Sequence, residues 1–321
     1  MTESTDNPRV AVLFPGQGSQ YIGMADPWMA HPAGKEILAR ASDVLGWDVA
    51  ERSHDPDALA RTEVVQLALF ACDLAAFAVL RDEGVVVEAA AGHSLGEYAA
   101  LVASGAVELE PGLSALAARA EAMGAASRDN PGGMTALIGL SPEDAHEVCA
   151  VAGRGDVLAV ANENGPKQIV LSGSEAALQR AEELARSRGA KAIRLQVAGA
   201  FHSPLMQPAL QAVREAIARI EFREPEFTIV PNVSARPTRN PLVLRDLLAR
   251  HLVSPVRWDA SMRAMDEMGL TWFLETGPGD VLGKLARRAV PGGTVRSIGS
   301  PEDAVAAAAA LRQARRGEAS T

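Results

Sequence analysis

Short β-type runs alternate with helix-type segments along most of this chain, and one internal stretch breaks that rhythm. Residues 9–14 (RVAVLF) form a strand pattern that ends at Pro15-Gly16, 64–81 read as a helix, and 88–92 as a second strand. Two more helices follow at 95–104 and 111–127. Strands joined through helices cannot pair as tight hairpins. They need crossovers, which predicts a mainly parallel sheet with helices on both faces.

Residues 132–197 have a different order. MTALIGL (134–140) reads as a strand, and Ser141-Pro142 supplies an N-cap and first-turn pair for a helix. DVLAVAN and KQIVLSG are strands on either side of a turn at Glu163-Asn164-Gly165-Pro166. A helix closing on Gly189 and a last strand, AKAIRLQV, complete the series. The order βαββαβ predicts a ferredoxin-like unit inserted in the α/β layer structure.

The first rhythm then resumes: a helix from Ser203-Pro204 to about 220, a strand at 227–232, helices near 241–253 and 258–268, and a strand at 271–276. Gly277-Pro278-Gly279 makes a turn, with a helix over 280–289, a strand at 294–298 and a terminal helix over 301–316. The expected division is a large subdomain from 9–131 and 198–316, an insert at 132–197, and tails at 1–8 and 317–321.

Composition removes several classes of function. With 48% of 321 residues hydrophobic, the chain can bury a large core. A net charge of −9, without a Lys/Arg run, argues against nucleic acid. Cys72 and Cys149 sit in apolar helix-like stretches without metal-ligand spacing, and they fit a reducing compartment. The first residues, MTESTDNP, lack a secretory pattern. The most apolar stretch, 64–80, is interrupted by Gln66 and Asp73 and is expected to be a buried helix short of a membrane span. The expectation is a cytoplasmic protein with no membrane partner.

The chemistry starts at Gly92-His93-Ser94-Leu95-Gly96, a G-x-S-x-G between a strand and a helix. That context is the one a nucleophile elbow needs, because a tight turn presents the hydroxyl at a helix N-terminus, where free N–H groups stabilise an oxyanion. A nucleophilic serine needs a base. His31, His54 and His146 lie in polar or surface-type segments, and His93 is adjacent to the serine on a sharp turn. His202, in GAFHSP at the junction of insert and large subdomain, is the candidate, although a lone loop histidine is more often structural. More than a hundred residues follow it, so the chain order of a standard hydrolase triad fits poorly. Pro15-Gly16-Gln17-Gly18-Ser19-Gln20 is neither a dinucleotide fingerprint nor a phosphate loop, and by itself it is a tight turn.

Taken together, GQGSQ, GHSLGE, the arginine about 25 residues on, GAFHS and SPVRW resemble the malonyl-CoA:acyl carrier protein transacylases. The acyltransferase domains of polyketide and fatty-acid synthases share these motifs. The likeness runs from Val10 to about Ala310 with every motif in order. It implies an α/β-hydrolase-like large subdomain with a ferredoxin-like insert. It also implies a nucleophile at Ser94, a general base at His202, and oxyanion donors in the Gln17 and Leu95 backbone N–H groups. Arg119 would grip the malonyl carboxylate, and Gln66, His93, Phe201, Asn232, His251 and Val256 match pocket positions. Ala120 stands where the family usually has glycine, and His251 where a glutamine usually precedes the SPVRW-like segment. In the family, the backbone carbonyl at that second position orients the catalytic histidine.

The activity so implied is transfer of malonyl from malonyl-CoA to the phosphopantetheine thiol of acyl carrier protein, in fatty-acid or polyketide synthesis. No metal and no bound cofactor is expected, and a monomer is the expected assembly. A serine thioesterase or esterase, an acyltransferase for another extender unit such as methylmalonyl-CoA, and a catalytically silent carrier-binding protein are the alternatives. An acidic carrier would need a local basic patch on an acidic chain. Lys284 with Arg287 and Arg288 is one candidate, and Lys191 with Arg194 another.

Overall fold

A computed structural model describes residues 7–316. Its nine strands are β1 (Val10–Phe14), β2 (Ala89–Gly92), β3 (Gly133–Ile138), β4 (Leu158–Gly165), β5 (Gln168–Gly173), β6 (Lys191–Arg194), β7 (Thr228–Ile229), β8 (Trp272–Thr276) and β9 (Thr294–Ile298). They form two sheets. The first has the order β7-β2-β1-β8-β9, with every pair parallel. The second has the order β4-β5-β3-β6, with every pair antiparallel. That is the arrangement a βαββαβ unit adopts.

Alternation along β1 explains why the first sheet is covered twice. Val10, Val12 and Phe14 face one core, which includes Phe70 and Leu74 of the helix Thr62–Asp82. Ala11 and Leu13 face a second core, built with Trp258, Met262 and Phe273. A strand buried on both faces reads as a continuous apolar run, as VAVLF does. The helix Thr62–Asp82 is long and apolar enough to cross a membrane, contrary to the expectation of a short stretch, but most of it is buried in this core.

The second sheet packs one face on its helices Pro142–Gly153 and Glu175–Ser187, through Leu137, Val148, Ile169 and Leu178. Ser141 and Ser174 cap these helices by accepting from the backbone N–H groups of Asp144 and Ala177. Its other face, with Met134, Ala136 and Val170, joins the large core. The edge strand β4 is tied to the large layer by Val256, which donates to the Ala161 carbonyl and accepts from Glu163 N–H, both at 2.8 Å.

Several expectations are corrected. The strand expected at 227–232 shrinks to Thr228–Ile229, because Pro231 has no N–H to continue a ladder. The strand expected at 190–197 is limited to Lys191–Arg194. The turn expected at 163–166 falls at 166–167, since β4 runs on through Gly165 with two register shifts. The helix after Ser203 begins as a 3-10 turn, Pro204–Ala209, with Pro208 inside it, and becomes α-helical over Leu210–Ala218. Among the described residues, four helices precede residue 62, at Asp26–Met29, Pro32–Leu45, Val49–Arg52 and Pro56–Leu59, where the sequence reading placed none. Apart from Asn7 and Pro8, the expected tails lie outside the described residues.

Candidate active site

Ser94 sits between β2 and the helix Gly96–Ala103 with φ 54°, a left-handed conformation unusual for a residue with a side chain. Close backbone approach explains the flanking glycines. A Cβ on Gly92 would lie 1.9 Å from the Gly96 carbonyl carbon, and one on Gly96 would lie 2.2 Å from the Phe14 carbonyl oxygen. Gly16, on the loop after β1, is as tight, at 2.5 Å from the His93 carbonyl oxygen.

Asn232 clamps this turn from across the sheet. Its Oδ1 accepts from Ser94 N–H at 2.9 Å, and its Nδ2 donates to the Gly92 carbonyl at 2.6 Å. Its own backbone N–H donates to Glu97 Oε2 at 2.7 Å. Burial raises the Glu97 carboxyl to about 7, against the opposing pull of that hydrogen bond and the Arg119 charge.

His202 comes from the junction of the two layers, also left-handed, with φ 58°. Its Nε2 lies 2.8 Å from Ser94 Oγ. Its Nδ1 faces two carbonyl oxygens, of His251 at 3.2 Å and Ser254 at 3.1 Å. Carbonyls only accept, so Nδ1 carries the proton and Nε2 presents its lone pair to the serine. Two backbone carbonyls thus occupy the place that a carboxylate takes in a Ser-His-Asp triad. Burial, then the charges of Arg119 and His93, hold the imidazole down to about 3.

Arg119 enters from the helix Leu109–Asp129 and is 1% exposed. Nη2 donates to Ser94 Oγ at 3.0 Å, and Nη1 donates to Gln66 Oε1. The guanidinium lies 5.8 Å from the Tyr98 ring centroid. Among the described residues no carboxylate forms an ion pair with it. A buried guanidinium without a counter-ion is costly, and an anionic ligand would relieve that cost.

These groups open on a cavity of about 170 Å³. Ser94, Arg119 and Phe201 line it, together with Met134, Val170 and Leu195 from the stretch 132–197. Gln17, Gln66, His93 and Leu95 also line it. Among the described residues no acceptor takes the backbone N–H of Gln17 or of Leu95. His93 Nε2 is 2.9 Å from Asn164 Oδ1 and 3.2 Å from Asn162 Nδ2, and its ring is tilted against Trp258.

Asn232, His251 and Val256 stand apart from the cavity wall and are fully or almost fully buried. Asn232 reaches the site through the Ser94 N–H, and His251 through its carbonyl, with its ring 5.1 Å from that of His202. Val256 spends both backbone groups on β4. Residues that sequence reasoning missed include Thr62, Glu97, Asn162, Asn164 and Ser254, and the cavity-lining Met134, Val170 and Leu195. Of the basic patches, Arg194 is spent on Glu175 and Glu182, and Lys284 on Asp280. Arg287 and Arg288, beside the cavity-lining Leu285, form no ion pair among the described residues.

Comparison with known proteins gives concordant matches. The acyl transferase domain family matches residues 12–313. The malonyl CoA-acyl carrier protein transacylase of Bacillus subtilis is 36% identical over 285 residues, 87% of this chain and 90% of that protein. The solved structure of the malonyl CoA-acyl carrier protein transacylase from Coxiella burnetii superposes with a TM-score of 0.92 at 33% identity, over 95% of this chain and 98% of that one. A malonyl-transacylase solved in complex with a type II PKS acyl-carrier protein superposes at 0.89 with 32% identity, over 96% and 99% of the two chains.

Proposed function

The chain belongs to the malonyl-CoA:acyl carrier protein transacylase family, and from that premise we propose that it carries malonyl from coenzyme A to the phosphopantetheine thiol of an acyl carrier protein through an ester on Ser94. One observation supports this most directly. The buried Arg119 guanidinium, which forms no ion pair with a carboxylate among the described residues, lies 3.0 Å from the hydroxyl that would bear the acyl group. A malonyl ester on that oxygen would end in the anion this cation lacks. Two parallel N–H donors suit a carboxylate, and an acetyl group would leave the charge unmet.

In this reading His202 Nε2 takes the proton of Ser94 Oγ, and the oxygen bonds to the thioester carbonyl carbon. The carbonyl electron pair becomes an oxyanion facing the Gln17 and Leu95 N–H groups. Its collapse breaks the carbon–sulfur bond, and the proton on His202 leaves with the coenzyme A thiol. The carrier thiol then repeats these steps in reverse, with the same imidazole as base. The sequence balances in atoms and charge without a metal or redox group.

Phe201 on the cavity wall crowds the acyl α-carbon and favours malonyl over branched extender units. Arg287 and Arg288 are the proposed contact for an acidic carrier, with the insert 132–197 acting as the second wall of the cleft. Both cysteines are unpaired, which fits the reducing cytoplasm. The enzyme is taken as a monomer, with no nucleic acid or membrane among its partners. Either the fatty-acid or the polyketide pathway would use the same chemistry.

Intact-mass spectrometry tests the proposal. Malonyl-CoA alone should place one malonyl on Ser94, and added holo-carrier should remove it and gain the same mass. Release of free malonate with the carrier unmodified would identify a thioesterase instead. No adduct at all would indicate a silent carrier-binding protein.

A further inference from the structure

Thr62 opens the helix Thr62–Asp82 and is 1% exposed. A threonine at a helix start commonly caps its own backbone, but the N-cap here is Arg61, and the Thr62 hydroxyl is used elsewhere. Its Oγ1 donates to Gln17 Oε1 at 3.1 Å and accepts from Gln66 Nε2 at 3.3 Å. Gln66 Oε1 in turn accepts from Arg119 Nη1.

The polarity of this chain is forced from one end. A guanidinium only donates, so Gln66 must turn its oxygen toward Arg119 and its amide hydrogens toward Thr62. The single hydroxyl proton is then left for Gln17. The result is one directed series, from Arg119 through Gln66 and Thr62 to Gln17. Arg119, Gln66 and Thr62 are all at most 1% exposed, and Gln17 is half-buried, so the series runs from the interior to the loop after β1. One end of the series rests on the nucleophile, and the other is Gln17, which lines the cavity and whose backbone N–H is proposed above as an oxyanion donor.

We infer that Thr62 is a positioning residue that ties carboxylate recognition to the oxyanion loop. Its hydroxyl fixes the Gln66 amide, and thereby the direction of the Arg119 fork, while its proton holds the Gln17 side chain and the loop after β1. This rests on the roles proposed above for Arg119 and Gln17. Valine at 62 keeps the shape and loses both bonds; serine keeps both bonds.

The test measures kcat/KM for transfer of malonyl and of acetyl to holo-carrier by the wild type, Thr62→Val, Thr62→Ser and Arg119→Ala, with Tm for each. Thr62→Val should lose about tenfold with malonyl and about threefold with acetyl, as expected when buried polar groups lose their partners. Thr62→Ser should restore both rates and their ratio. In an Arg119→Ala background, the malonyl loss from Thr62→Val should shrink to the acetyl value. If Thr62→Val does not fold, Thr62→Ala takes its place in every comparison. A wild-type malonyl-to-acetyl ratio in the folded Thr62 variant, with that ratio collapsed in Arg119→Ala, would overturn the inference and leave Thr62 as packing. An unchanged ratio in Arg119→Ala would instead overturn the reading of Arg119 on which the inference stands.

Discussion

Ser94 Oγ and His202 Nε2 meet at 2.8 Å although both residues hold left-handed backbones, φ 54° and 58°. Each such conformation costs ~1–3 kcal/mol in a residue with a side chain, and it persists only where the surroundings impose it. Here the surroundings are identifiable. Asn232 holds both sides of the serine turn, and two carbonyls hold the far nitrogen of the histidine. The reactive pair is thus set by backbone shape before any ligand arrives.

Removing the nucleophile in two ways isolates that cost. Ser94→Ala and Ser94→Gly should both fail to take a malonyl adduct. Glycine adopts positive φ freely, so Ser94→Gly should be the more stable of the two by about 1 kcal/mol in chemical denaturation. Coincident midpoints for the two variants would mean that the turn stores no strain at this residue.

Arg119→Ala tests selectivity. Without the guanidinium, the malonyl carboxylate enters a buried cleft unpaired, so kcat/KM for malonyl transfer should fall by about two orders of magnitude or more. Acetyl transfer should fall far less. Equal losses on both substrates would remove the claim that this side chain reads the carboxylate.

The pH profile follows from the His202 environment. A base whose pKa is pushed down to about 3 keeps its lone pair as the solution is acidified. The rate kcat/KM for malonyl-CoA should therefore stay level down to about pH 5 and fall only below it. Burial is the main cause and the Arg119 charge the next, so Arg119→Ala should move the acid limb upward. A wild-type limb centred near the ordinary histidine value would contradict this placement of the base.

Asp73 is a stability prediction remote from the chemistry. It is wholly buried, neither carboxyl oxygen has a partner among the described residues, and burial with the nearby Glu275 raises its pKa well above 3.8. A carboxyl raised by folding contributes stability that is intact below its unfolded pKa and is lost as pH climbs toward the folded value. Asp73→Asn removes that proton from the balance. The Tm advantage of Asp73→Asn should therefore grow from about pH 4 to about pH 8. Parallel Tm curves across that range would sink the prediction.

Much of this architecture was legible in the chain, for reasons that can be stated. Period and punctuation revealed both layers, since VAVLF, TWFLET and the Ser-Pro caps carry their structure locally. The nucleophile turn was legible because glycine spacing records close backbone approach. What escaped depends on distance in sequence. Nothing near Thr62 signals that its hydroxyl meets Gln17, 45 residues away, and Glu97 reads as an ordinary first-turn acid until Asn232, 135 residues on, is folded against it. The left-handed backbone of His202 has no local signal either, since neither Phe201 nor Ser203 demands it. Asn232 and Val256 were expected at the pocket, but their side-chain and backbone bonds are committed to the turn and to β4.

The interlocked glycines at 16, 92 and 96 also bear on how this catalyst can be modified. Where a single methyl would collide with a carbonyl, neither mutation nor redesign has any latitude, so the backbone beneath the nucleophile is a fixed mould. Freedom to accept other acyl chains should reside instead at Met134, Val170 and Leu195, cavity-lining side chains of the insert with no glycine packing to preserve. A library aimed at new extender units belongs on the smaller sheet.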